Sequence, residues 1–356
     1  MRAILEDVAR WLAAGESIAL ATVVGTEGSS PRLLGSRMAI TESGQMTGSV
    51  SGGCAEGDVF RRAQTVLGGQ APRRVRYTGV DEEGWGVGLA CGGTIEVFIE
   101  RLGEVHRQLV DSLEHEETVA LATRLDGSGH LIAWPDGRLY GDRTLASQLV
   151  PLLPHPTAEH RRHPQGDVFL EVFAPWPTLT VVGAVHIAIP LVVMARELGY
   201  RVRVVDARRA FATRDRFGGA DELLIAWPAE AMDSEHLRSQ DAVVVLAHDP
   251  KFDVPALERA LRSPVGYIGL LGSTTTQQKR QAALKGKGFS DKDLARIHGP
   301  VGLDLGGRRP PEIALAILAE MVAVKHGRRP DGPNALPARR RENGDERNVS
   351  SDSGSA

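Results

Sequence analysis

Residues 179–206 read LTVVGAVHIAIPLVVMARELGYRVRVVD, and this stretch decides the fold of the second half of the chain. Leu179 to Val182 is a short apolar strand, and Gly183-Ala184-Val185-His186-Ile187-Ala188 leads into a helix that runs to about Leu198. Gly199 ends that helix, and Arg201 to Val205 makes a second strand closing on Asp206. Strand, helix and strand in this order form a βαβ unit, whose strands must lie parallel. An acid about twenty residues after the glycine is where such a unit holds a ribose hydroxyl, so Gly183, His186 and Asp206 are candidate cofactor contacts. One feature opposes a dinucleotide. Val185 stands at the middle glycine position of the fingerprint, where a side chain crowds a pyrophosphate. Arg208 and Arg209 suit a 2′-phosphate, although arginines on a surface are commoner.

Further strands follow at Leu223–Ala226, Ala242–Leu246 and Val265–Leu270. Each is apolar on both faces, as in a parallel sheet covered by helices. The expected architecture for 178–326 is therefore a Rossmann-like, doubly wound parallel-sheet domain. His186, Asp206, His248 with Asp249, and Gly272 with Ser273 then share the carboxyl edge, where ligands bind. Pro310-Pro311-Glu312 opens a last helix after the glycine-punctuated stretch 302–308, a second place where a helix start faces a loop. Packing is the plainer explanation there.

Outward in the other direction, Ala174-Pro175-Trp176-Pro177 marks a boundary, because neither proline suits a central strand. Residues 1–173 form a separate α+β domain with a weak internal repeat. Glu16-Ser17-Ile18-Ala19-Leu20-Ala21-Thr22 resembles Glu117-Thr118-Val119-Ala120-Leu121-Ala122-Thr123, and 43–48 resembles 136–141. Only the first copy carries Gly28-Ser29-Ser30-Pro31-Arg32 and Ser51-Gly52-Gly53-Cys54. Shared residues are scaffold in this reading, and the additions are candidates for function. At the other end, 327–356 is nearly devoid of apolar residues and is expected to be a disordered tail.

Composition narrows the classes. With 356 residues, 42% hydrophobic and 24% charged, the chain is sized for two globular domains. A net charge of -3 offers no basic surface for nucleic acid. Ile4, Leu5, Val8, Trp11 and Leu12 repeat at helical spacing, unlike a signal peptide, and no apolar stretch reaches the roughly 20 residues of a membrane span. Two cysteines without a signal sequence imply free thiols and a cytoplasmic protein.

The cysteine loop Ser51-Gly52-Gly53-Cys54-Ala55-Glu56 runs straight into a helical pattern ending near Leu67. Glycines free the backbone to expose N–H groups, and a helix start attracts anions such as phosphate. A thiol at such a place is drawn toward thiolate, a good ligand for soft metals and acceptor of sulfur. Glu56 and Asp58 suit a first helical turn. A lone cysteine is also commonly a small buried hydrophobe, and Cys91, before an alternating strand, fits that plainer reading.

Taken in order, 28–32 with Gly35, the Gly52-Gly53-Cys54-Ala55-Glu56 loop, Cys91-Gly92-Gly93, 205–208, 248–251, 267–273, 302–306 and 311–314 resemble the XdhC/CoxI family of molybdenum-hydroxylase maturation factors. The resemblance implies a non-catalytic chaperone that binds molybdenum cofactor (molybdopterin) as cargo, protects it during sulfuration and inserts it into a xanthine or carbon-monoxide dehydrogenase-type hydroxylase. It makes Cys54 the foremost candidate to contact the cofactor and its metal, with Cys91, Gly52, Gly53 and Glu56 beside it. Arg32 and Arg37 are candidates for the phosphate. It also implies that the partner is the large subunit of a molybdenum hydroxylase, with a cysteine desulfurase and a homodimer as further expectations. The competing function is an NAD(P)-dependent oxidoreductase using the Rossmann-like domain, which Val185 disfavours.

Overall fold

The computed structural model describes residues 1–79, 89, 92–153, 156–162, 166–232 and 237–328. Cys91 and the expected tail from 329 onward lie outside the described residues. The chain divides into two compact units, Met1–Pro175 and Trp176–Ala356.

The first unit is the same design built twice. The first copy comprises α1 (Leu5–Ala13), β1 (Ile18–Glu27), β2 (Arg37–Thr41), β3 (Met46–Gly48), α2 (Glu56–Leu67), β4 (Arg73–Tyr77) and β5 (Thr94–Arg101). The second comprises α3 (Glu104–Glu114), β6 (Val119–Arg124), β7 (His130–Ala133), β8 (Leu139–Gly141), α4 (Ala146–Leu149), β9 (Thr157–Arg161) and β10 (Val168–Phe173). Their antiparallel sheets have matching orders, β3-β2-β1-β5-β4 and β8-β7-β6-β10-β9. The faint repeat in the sequence is therefore a structural duplication.

Period-two alternation sets the faces of each sheet. In β5, Ile95, Val97 and Ile99 pack against Val59, Ala63 and Val66 of α2. Phe98 points the other way and meets Phe169 of the second copy, with Val24 and Leu125 beside them. Glu100, next on that inner face, is polar and buried. Helices α1 and α3 share a further core through Val8, Trp11, Leu109 and Leu113.

The register explains how buried charge is tolerated between the copies. Thr22 pairs with Arg37 and Thr123 with His130, so Arg37 and His130 are equivalent. Leu20 pairs with Glu100 and Leu121 with Glu171, so the two glutamates are equivalent. The partners are exchanged. Arg37 Nη1 donates to Glu171 Oε1 at 2.8 Å, and Arg37 Nη2 donates to the other oxygen. His130 Nε2 lies 2.7 Å from Glu100 Oε2. Each copy thus reaches across to the other with one base and one acid. Both side chains of the arginine pair are only 4% exposed.

The second unit comprises β11 (Thr178–Val182), α5 (Ala188–Glu197), β12 (Arg201–Val205), β13 (Glu222–Leu224), α6 (Pro228–Ala231), β14 (Ala242–Val245), α7 (Pro250–Leu261), β15 (Tyr267–Leu270), α8 (Thr274–Lys285), α9 (Asp291–Leu294), β16 (Ile297–His298) and α10 (Pro310–Lys325). All its strand pairs are parallel, in the order β13-β12-β11-β14-β15-β16. That is the doubly wound order, with its switch point between β11 and β14. Helices α5 and α10 bury one face and α7 the other. The strand β16 has no sequence signal, being two residues long.

Two outcomes follow for the first unit. Arg37→Met leaves Glu171 buried and unpaired and costs about 3–5 kcal/mol in chemical denaturation, most of which Glu171→Leu restores in the double variant. At the other cross-pair, burial alone would lower the His130 pKa, but the hydrogen bond and charge of Glu100 raise it. Burial likewise opposes charge on Glu100, yet His106 and His130 hold its pKa at about 2. The histidine contribution is complete below pH ~6.5 and fades as pH rises through its raised pKa. The glutamate contribution is lost only as pH falls toward 2. His130→Arg should therefore flatten the decline in thermal midpoint above neutrality; an unchanged slope would count against the pairing.

Candidate functional site

The loop between β3 and α2 is organised around one carboxylate. Glu56 accepts the backbone N–H of Val50 at 3.2 Å, Ser51 at 2.9 Å, Gly52 at 3.0 Å and Gly53 at 2.8 Å. Ser49 Oγ donates to it at 2.6 Å, and Ser51 Oγ donates as well. Winding four amides around one point requires the left-handed region at Gly52 (φ 80°) and Gly53 (φ 123°), which glycine enters without strain. Ser51 Oγ also accepts from Ala55 N–H at 2.8 Å, closing the loop onto the helix. Val50 and Ala55 are buried in the core beside Val59 and pin both ends. Cys54 stands between them, exposed.

Burial opposes charge on Glu56, but the hydrogen bonds from Ser49 and Ser51 bring its pKa down to about 2. This corrects the expected role of the loop amides. They are bonded to the chain's own glutamate, which stands where an external phosphate was anticipated. The same device recurs at α10, where Glu312 accepts the N–H of Arg308 at 2.9 Å and of Arg309 at 3.0 Å. Arg37 is also corrected: its guanidinium is committed to Glu171 inside the unit and is not on offer to a ligand.

Several copy-specific segments converge on one end of the first sheet. Asp58, on the first turn of α2, accepts from Tyr77 Oη at the end of β4 at 2.9 Å. Gly79 lies so close to Gly92 that a Cβ there would sit 3.0 Å from its Cα. A Cβ on Gly93 would collide with the Ser29 carbonyl, so the Gly28–Arg32 loop rests on the segment that follows Cys91. Arg32 is exposed, and its carbonyl accepts from Ser30 Oγ at 2.7 Å.

In the second unit, Gly183 and Asp206 meet at the carboxyl edge, but Asp206 is spent. Its Oδ2 accepts from Ala184 N at 2.7 Å and Arg208 Nη2 at 2.7 Å. Its Oδ1 accepts from Arg208 N at 2.8 Å and Nε at 2.9 Å. The side chain is fully buried, and the Arg208 guanidinium covers it while stacking over Phe211, 4.4 Å from the ring centre. A ribose diol needs a carboxylate with free acceptor positions. Val185, half-buried against the α5 core, occupies the position where backbone must approach pyrophosphate. These residues do not fit a dinucleotide. His186 is exposed on this loop, and His248, after β14, takes a left-handed φ of 60°.

The residues that motif reading missed are Glu100, His106 and His130, whose ligand atoms lie within 4.8 Å of one another. A glutamate two residues after Phe98, on the same face of β5, was the available signal. His106 Nδ1 accepts from Gly103 N–H at 3.2 Å, so the neutral ring carries its proton on Nε2, 3.3 Å from Glu100 Oε1. A histidine bound to metal has the opposite arrangement, donating from its outer nitrogen. The cluster is a hydrogen-bonded joint between the copies.

Comparison with known proteins agrees with this architecture. Residues 11–78 match the XdhC and CoxI family, and residues 179–321 match the XdhC Rossmann domain. A protein of Bacillus subtilis described as a probable xanthine dehydrogenase subunit is 31% identical, over 87% of this chain and 94% of the relative. The molybdenum cofactor insertion chaperone PaoD of Escherichia coli is 27% identical, over 91% of this chain and 88% of the relative. A crystal structure described as a xanthine dehydrogenase from Bacillus halodurans superposes with a TM-score of 0.75 at 26% identity, covering 92% of this chain and 98% of that one. The chain belongs to the XdhC and CoxI family. Among the described residues, no helix is long and apolar enough to cross a membrane.

Glu56→Gln should release the cysteine loop without unfolding the unit: amide exchange at Ser51–Gly53 accelerates about tenfold or more while α2 stays protected. In the parent chain the latch is complete above pH ~4.3 and opens as pH falls through about 2. For the second unit, thermal-shift titration with NAD, NADH, NADP and NADPH should give no response; saturable stabilisation by any of them would restore the oxidoreductase reading.

Proposed function

We propose that this chain carries molybdenum cofactor on its first unit, protects it during sulfuration and inserts it into a hydroxylase of the xanthine dehydrogenase type, whose large subunit is the docking partner. One observation carries the reading: Cys54 is exposed on a loop that exists in only one of the two copies and whose amides are already satisfied by Glu56. The thiol is then the loop's open functional group, and thiolate sulfur suits a soft metal centre and sulfur exchange. Membership of the family, and an insertion chaperone among the relatives, support the same cargo. Arg32 is proposed as a further contact at this end of the sheet, and Cys91, outside the described residues, as another contact of the cofactor.

The test is oxidative release of pterin from the purified chain after co-expression with cofactor biosynthesis. The parent chain should retain cofactor at roughly micromolar affinity or better. Cys54→Ala should lower retention about tenfold or more, and should leave the partner hydroxylase folded but poorly activated. Retention equal to the parent in a folded Cys54→Ala variant would remove the thiol from the reading, and a parent chain free of pterin would remove the cargo.

A further inference from the structure

A cavity of about 370 Å³ opens in the first unit between the outer ends of β1 and β5 and the strand β9 of the second copy. That volume is within the ~300–1,000 Å³ typical of small-molecule sites. Comparing the copies shows how it arises. Past an irregularity between Val23 and Gly25, β1 and β5 continue in register, Gly25 opposite Glu96 and Glu27 opposite Thr94. In the second copy the equivalent ladder stops at Arg124 opposite Val168. The extension has no counterpart to cover it, so its inner face becomes the wall of the cavity. The segments peculiar to the first copy border this wall, since Thr94 lines the cavity and follows Gly93, against which Ser29 rests.

The charges lining it discriminate between ligands. Three carboxylates, Glu27, Glu96 and Glu159, face two guanidiniums, Arg74 and Arg162. Arg74 is already held by Glu96 and by Asp167, and His160 also lies beside Asp167, at 3.2 Å. Arg162 alone of these cations has no partner among the described residues. Glu27 and Glu159 are in turn held by Arg76 at 2.7 Å and by Arg161 at 2.6 Å, the latter through one carboxylate oxygen, so the lining is close to balanced in charge and favours an uncharged ligand over a phosphate dianion. It suits a neutral, flat heterocycle with N–H donors next to a carbonyl oxygen: carboxylates take the donors, and a guanidinium or threonine hydroxyl takes the oxygen. Gly25 keeps the wall flat, since a Cβ there would press to 3.0 Å from Glu96 Oε2. Leu34 supplies an apolar side for a ring face.

We propose that this cavity receives the pterin ring of the cofactor, with Glu159 reading the amino-pyrimidinone edge and Arg162 its oxygen. The inference rests on the carrier reading and adds where the organic end of the cargo sits. The phosphate end lies outside the cavity, away from its carboxylates.

The experiment titrates the full chain with 6-hydroxymethylpterin, following quenching of pterin fluorescence, and repeats the titration in excess inorganic phosphate. Saturable binding is expected, unaffected by phosphate and by Cys54→Ala. Thr94→Phe, which fills the cavity, and Glu159→Gln, a milder change in case the first fails to fold, should each weaken it about tenfold. No saturable quenching, parent-like affinity in either folded variant, or competition by phosphate overturns the proposal. Cofactor release from co-expressed chains separates it from the carrier reading. Equal retention by parent and Thr94→Phe overturns the cavity alone, whereas no cofactor in the parent overturns both.

Discussion

Two acid–base pairs buried between the duplicated halves hold the first unit in its working form. Each copy contributes a base from the start of its second strand and a glutamate from its last strand, and each reaches for the other copy's partner. A charge buried without a partner costs several kcal/mol, so neither half is at ease without the other. The halves have diverged in chemistry at this point. Arg37 is permanently charged, while His130 titrates and shares Glu100 with His106. The joint is a place where the scaffold itself responds to protons.

The cysteine loop hangs from this joint. The Arg37 carbonyl accepts from Ser49 N–H at 2.9 Å, and in the second copy His130 accepts likewise from Asp142 at 2.7 Å. From equivalent anchors the chains then part. The second copy turns at once into a short capped helix, with the Asp142 carboxylate accepting from Thr144 N–H. The first inserts Val50 to Cys54 and gathers the inserted amides on Glu56. A glutamate serving as internal anion makes the loop rigid without a ligand, so the thiol is presented in advance of any cargo.

The second unit keeps the doubly wound order and abandons dinucleotide chemistry. Arg208 neutralises and covers Asp206, so the carboxylate that defines the ribose site in relatives of this topology becomes a structural clasp. The fold persists because its core is independent of that edge: the sheet is sandwiched by helices whether or not anything binds at the loops.

Much of this was legible in the residues. Apolar runs of strand length alternating with helical periods, and the glycine followed by Asp206, defined the parallel sheet of the second unit. Matched heptapeptides at 16 and 117 disclosed the duplication, and the glycines before Cys54 disclosed a loop entering a helix. These are local signals, encoded within a few residues of one another. What the tertiary structure decided were the partners of charged groups. Which amides Glu56 gathers is a matter of backbone path. That Arg37 faces Glu171, 134 positions away, depends on how the two sheets of the first unit pack, and that Arg208 folds back onto Asp206 depends on the path of the loop after β12. The cavity beside β9 likewise exists only because one ladder outruns its twin. A charged side chain reads alike in sequence whether it waits for a ligand or is already paired, because charge is local and pairing is a property of the assembled fold.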